Sequence, residues 1–93
     1  MLEKNIEKKL IAAVKSIDGI AFKFIAPGIN GVPDRLVLLP GGRIAFVEIK
    51  APGQKMRLQQ VLRKRQLERL GFLVYCIDSP EQIGGVLDAI QSS

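Results

Sequence analysis

Two apolar runs, Pro33 to Leu39 and Arg43 to Lys50, are separated only by Pro40-Gly41-Gly42. A three-residue loop with Gly where the backbone needs positive φ folds such runs into an antiparallel hairpin. Loop length also sets the register, placing Leu39 opposite Arg43 and therefore Asp34 opposite Glu48. Opposed residues project from the same face with Cβ atoms about 5 Å apart, and Lys50, two residues beyond Glu48, shares that face. Two carboxylates and an ammonium thus converge at the open end of the hairpin; a two-residue loop would instead put Asp34 and Glu48 on opposite faces. Leu36, Leu38, Ile44 and Phe46 lie on the same face and read as core. Directly opposed acids repel, so this cluster calls for a divalent cation or for a salt-bridged Asp-Lys-Glu arrangement without one.

The rest of the chain supplies layers for this hairpin. Leu2, Ile6, Leu10, Ala13, Val14 and Ile17 recur at helical spacing and predict an amphipathic helix over 2–17, stopped by Asp18-Gly19. Residues 20–25 read as a strand and 26–31 as a loop. After Ala51-Pro52-Gly53, the stretch 56–70 is helix-forming and ends at Gly71; 72–77 is a fourth strand; 81–90 is a last helix, weakened by Gly84-Gly85. The order αβββαβα predicts an α/β fold with a central mixed sheet flanked by helices. At 93 residues the expectation is one domain spanning 1–93, with a core thin enough that a partner subunit would help stabilise it.

Composition narrows the chemistry. No His and a single Cys exclude a Cys/His zinc site, a Ser-His-Asp triad and an internal disulfide. A metal here must be held by carboxylates and backbone oxygens, which suits Mg²⁺ or Mn²⁺. Cys76, inside the apolar run 72–77, reads as a buried structural thiol. Neither a signal peptide nor a membrane-spanning run is visible, so the expectation is a cytoplasmic protein without a membrane partner.

The net charge of +5 is concentrated: seven basic residues against the single Glu68 lie between Lys50 and Arg69. Such a run is either a solvated helix face or an anion-binding surface. On the first helix Glu7 sits among Leu10, Ile11 and Val14, and Glu3 lies one turn earlier on the same stripe. It is an N-terminal acid favoured by the helix dipole or a third acidic ligand beside Asp34 and Glu48. On the second helix Met56, Gln60, Arg63, Leu67 and Leu70 form a seam toward the sheet. Leu58, Val61 and Leu62 form another apolar patch, which is either a subunit contact or the edge of one wide apolar face.

Gly31-Val32-Pro33-Asp34-Arg35, followed across the hairpin by Val47-Glu48-Ile49-Lys50-Ala51-Pro52, resembles the PD-(D/E)XK nuclease superfamily and, within it, the VRR-NUC (virus-type replication-repair nuclease) family. The resemblance covers nearly the whole chain and implies a restriction-endonuclease-like αβββαβ core with a C-terminal helix. It implies Asp34 and Glu48 as metal-binding carboxylates, Ile49 as a backbone-carbonyl ligand, Lys50 as catalytic lysine, Glu7 (in competition with Glu3) as the helix glutamate, and Gln60 as the glutamine after the motif strand. By the same resemblance the chain is a Mg²⁺- or Mn²⁺-dependent DNA endonuclease that leaves a 5′-phosphate and a 3′-hydroxyl. Stand-alone members resemble Holliday-junction resolvases, which implies a homodimer acting on branched DNA in a bacterial or phage-infected cell. Lys23, Arg35, Lys55, Arg57, Arg63, Lys64 and Arg65 are the candidate DNA contacts. The alternatives are a non-catalytic basic DNA-binding module with a structural carboxylate cluster, and a restriction-type enzyme, for which 93 residues leave little chain for recognition loops.

Overall fold

The computed structural model describes residues 2–93; Met1, the first residue of the expected domain, lies outside them. Helix α1 (Glu3–Ser16) leads into β1 (Ile20–Lys23), β2 (Arg35–Leu39) and β3 (Arg43–Ile49). Helix α2 (Leu58–Arg69) then crosses to β4 (Leu73–Ile77), and a 3₁₀ turn at Pro80–Gln82 opens α3 (Ile83–Gln91). The strands lie in the order β1-β2-β3-β4, the first two pairings antiparallel and the last parallel. This is the mixed α/β sheet expected from the sequence.

The hairpin register is the one that a three-residue loop dictates. Leu39 pairs with Arg43 and Arg35 with Val47, and both Gly41 and Gly42 adopt positive φ at the turn, where glycine carries no Cβ penalty. β1 ends at Lys23, two residues short of the expected end; just beyond it the Phe24 N–H donates to the Asp34 carbonyl at 2.9 Å. α3 forms despite Gly84-Gly85 because Ile83, Leu87 and Ile90 are buried against the rest of the molecule. Burial of an amphipathic face outweighs weak local propensity.

One sequence expectation is reversed. The main core lies on the opposite face of the hairpin from Leu36, Leu38, Ile44 and Phe46. Val37, Leu39, Ala45, Val47 and Ile49 pack with Ile6, Leu10 and Val14 of α1 and with Ile83, Leu87 and Ile90 of α3. Two helices cover that face, whereas α2 packs on the other, near β4. Ile44 is consequently exposed while Phe46 is buried, with Phe24 and Phe72 at ring-centroid distances of 5.3 and 5.8 Å from it. The seam on α2 turns inward at Gln60, its one buried residue, while Leu58, Leu62 and Leu70 stay exposed.

Candidate active site

Asp34 immediately precedes β2, and its Oδ2 accepts the Ile49 backbone N–H at 2.9 Å. Glu48, 2 % exposed, stands on the less covered face of β3. Its Oε2 accepts Gln60 Nε2 at 2.5 Å and lies 3.3 Å from Lys50 Nζ. The structure thus brings Asp34, Glu48, Lys50, Ile49 and Gln60 together. Burial, and secondarily the Asp34 charge, raise Glu48 to about 7, against the partial relief given by Lys50. Its second oxygen, Oε1, is buried and, among the described residues, no donor meets hydrogen-bond geometry with it; the Asp34 carboxylate, close enough to add to the upward shift, can share only a proton or a cation with Glu48. An unpaired buried carboxylate oxygen carries a desolvation cost that a cation would relieve.

Ile49 contributes through its backbone. Extending the hairpin register pairs Ile49 with Pro33, which has no N–H to give to the Ile49 carbonyl. Because the N–H and C=O of a paired strand residue point to the same partner, that carbonyl is directed to the side on which Asp34 holds the Ile49 N–H. The proline before Asp34 was a signal available in the sequence, once the register was extended by one pair. Two carboxylates and one carbonyl suit Mg²⁺ or Mn²⁺, since Mg²⁺ commonly takes one or two protein carboxylates and fills its other positions with water and substrate phosphate.

Glu7 is placed elsewhere. Its Oε2 accepts Arg35 Nε at 2.8 Å and lies 3.8 Å from Lys23 Nζ. Arg35 and its partner Val47 belong to the face packed by α1, whereas Glu48 projects from the other. Among the described residues no three acidic, His or Cys side chains converge on one point. Glu3 is exposed near the start of α1. Arg35, which also donates to the Ala21 carbonyl at 3.2 Å, is turned inward as a structural clamp. Lys64 is paired with Glu68 at 2.9 Å, while Lys55, Arg57 and Arg65 are exposed. Cys76, expected to be buried, is only partly so because it stands on the less covered face of the sheet; burial and then the Glu48 charge push its thiol upward, which disfavours the thiolate.

Gln60 is held at both ends: its Oε1 accepts the Arg57 N–H at 2.9 Å, which leaves the amide nitrogen to face Glu48. Glu at this position would set a third carboxylate against Glu48, so the amide is chemically required. Gln60→Ala is expected to weaken divalent-metal binding by roughly 10–100-fold, the usual cost of losing a residue that orients a ligand. Titration calorimetry with Mn²⁺ checks this, and unchanged affinity would remove Gln60 from the site.

No protein-family profile matches the chain. It is 48% identical over 88 residues to "Putative nuclease p44" of Acyrthosiphon pisum secondary endosymbiont phage 1, covering 95% of this chain and 94% of that one. A solved structure described as a VRR_NUC domain superposes with a TM-score of 0.87 at 28% identity, covering 92% of this chain and 94% of the other. Whole-length likeness in sequence and in fold thus agrees with the Pro-Asp and Glu-x-Lys motifs on adjacent strands, and the chain belongs to the VRR-NUC family of the PD-(D/E)XK nuclease superfamily.

Proposed function

We propose that this protein is a divalent-metal-dependent DNA endonuclease, selective for branched structures and active as a homodimer. The observation that carries the reading is the buried, unpaired Glu48 Oε1 beside Asp34 and Lys50. Asp34, Glu48 and the Ile49 carbonyl would hold Mg²⁺ or Mn²⁺, which when bound supplies an acidified water and a polarised phosphate. Gln60 and Lys50 occupy Glu48 Oε2 and so leave Oε1 as its free donor atom. Ile49 N–H fixes the Asp34 carboxylate in the same way. The Lys50 side chain, 14 % exposed, sets a fixed ammonium where charge develops on the phosphate during attack.

Glu7 completes the proposal as an indirect participant: its ion pair with Arg35 anchors the start of β2, one residue from Asp34. Lys23, Lys55, Arg57, Arg63 and Arg65 supply the phosphate contacts that position DNA. No helix among the described residues is long and apolar enough to cross a membrane, and we place the protein in the cytoplasm, where its DNA would be. The test is a cleavage panel with Mg²⁺ or Mn²⁺ and end-labelled four-way, flap and linear DNAs of matched sequence. Cuts near the branch with 5′-phosphate ends are the expected result. Folded protein that cuts none of them would favour a non-catalytic DNA-binding module, and one discrete cut in linear duplex would favour a restriction-type enzyme.

The dimer has a candidate surface on the open face of the sheet. Ile20, Leu38 and Ile44 form one row across three strands and Phe22, Leu36 and Phe46 the next. Ile20, Phe22, Ile44 and Phe72 are exposed there. An apolar patch of this kind on a small protein marks an interaction site, and a two-fold pairing would present two active sites to one junction. Phe22→Glu is expected to turn a dimer into a monomer in analytical ultracentrifugation. Wild-type protein that sediments at the single-chain mass with and without junction DNA would sink the dimer.

A further inference from the structure

We infer that the groove between the loop at Gly28–Asn30 and helix α2 binds an unpaired nucleotide of the DNA strand next to the scissile phosphate, and that it is the element that selects branched DNA. The inference rests on the nuclease reading above but concerns a different surface. The groove is open to solvent and offers about 640 Å³, within the size range of small-molecule sites.

Its charge is unspent. Arg63, Arg65 and Arg69 line it, and among the described residues none of the three is in a salt bridge. Glu68, the one acid of α2, is taken by Lys64. Three guanidinium groups around one cavity favour an anion there, and the planar forks of Arg65 and Arg69 match phosphate. Its walls are aliphatic as well: Ile29 and Leu62 both line it and are about half exposed. A paired backbone needs only cations, whereas a base removed from its stack needs an apolar or guanidinium surface to lie against.

The groove is also built in advance. Arg63 Nε donates to the Asn30 carbonyl at 3.1 Å and its Nη1 to Gln66 Oε1 at 2.5 Å, tying loop to helix. Gly31 seals the base of the loop: at φ +80° its backbone lies so close to α2 that a Cβ would sit 2.5 Å from the Gln59 carbonyl oxygen. Both walls run directly into the active site. Gln59 lines the groove and the next residue, Gln60, holds Glu48, while the loop continues through Pro33 to Asp34. A strand leaving the carboxylates past Gln60 therefore meets a groove lined by three arginines.

The test uses Asp34→Asn protein, which binds without cutting, and two DNAs of equal length: an intact duplex and one with a three-nucleotide gap carrying 2-aminopurine. Ile29→Ala/Leu62→Ala is expected to lower affinity for gapped DNA roughly ten-fold, with duplex affinity unchanged. Arg65→Ala/Arg69→Ala should reduce the salt slope for gapped DNA by about two. Both should abolish the 2-aminopurine fluorescence change. All four positions are exposed, so folding is expected to survive and is checked by circular dichroism. Unaltered preference for gapped DNA in both double variants would overturn the inference. So would an aliphatic variant that changes only the sedimentation mass, since the surface would then join two copies. Failure of the nuclease reading looks different: wild-type protein with metal would cut no DNA, whatever these variants bind.

Discussion

Asp34→Asn, Glu48→Gln and Lys50→Met are each expected to slow single-turnover cleavage of a four-way junction by roughly 1,000-fold or more, with junction binding kept within a few-fold. The magnitude follows from what each atom does. Removing a single preorganised charge-stabilising donor from an active site costs roughly 100–1,000-fold, and in the proposed site the two carboxylates are, among the described residues, the side-chain ligands offered to a metal. Lys50→Met carries a second consequence. The ammonium 3.3 Å from Glu48 Oε2 is what holds Glu48 down against burial and the Asp34 charge. Without it the carboxyl moves higher still, so in the Lys50 variant the proton should compete with Mn²⁺ for Glu48 up to a higher pH. Cleavage by any of the three within ten-fold of wild type would break the assignment of the site.

Much of this arrangement was legible in the sequence because it depended on local rules. The Pro-Gly-Gly loop determined the hairpin register, and the register alone put Asp34, Glu48 and Lys50 on one face. Three features were not legible, each for a physical reason. Both faces of β2 and β3 are apolar, with Val37, Leu39, Ala45 and Val47 on one and Leu36, Leu38, Ile44 and Phe46 on the other. Alternation therefore could not say which face the helices cover. Glu7 lay on the apolar stripe of α1 as expected, but its destination depended on Arg35, a residue read as a DNA contact. Only the packing of α1 against the far side of the sheet shows that the two neutralise each other. The groove under the Gly28–Asn30 loop was invisible for a related reason, since its walls are far apart in sequence.

Melting of the metal-free protein should fall by about 10–20 °C between pH 5 and pH 8, and a few millimolar Mg²⁺ or Mn²⁺ should restore most of that loss at pH 8 but little at pH 5. The cause is Glu48. Burial and the Asp34 charge raise its pKa to about 7 in the fold against an ordinary 4.5, so the folded protein keeps a proton that the unfolded chain releases about 2.5 pH units lower. Proton retention stabilises the fold fully below about pH 4.5, and the benefit drains away as pH rises through 7. The difference corresponds to about 3 kcal/mol, large for a fold of this size. A divalent cation competes for the same oxygens and replaces the proton as the partner of the buried carboxylate, so its stabilisation grows as the proton leaves. Glu48→Gln separates this account from a general effect of pH. Its amide oxygen can still accept from Gln60 and Lys50, yet it neither titrates nor binds the cation well. The variant should therefore melt higher than wild type at pH 8 without metal, show a flatter pH profile and respond weakly to Mn²⁺. Equal metal-induced shifts in wild type and Glu48→Gln would mean that the cation binds elsewhere. A flat wild-type profile would mean that Glu48 is charged in the fold and that its Oε1 already has a partner.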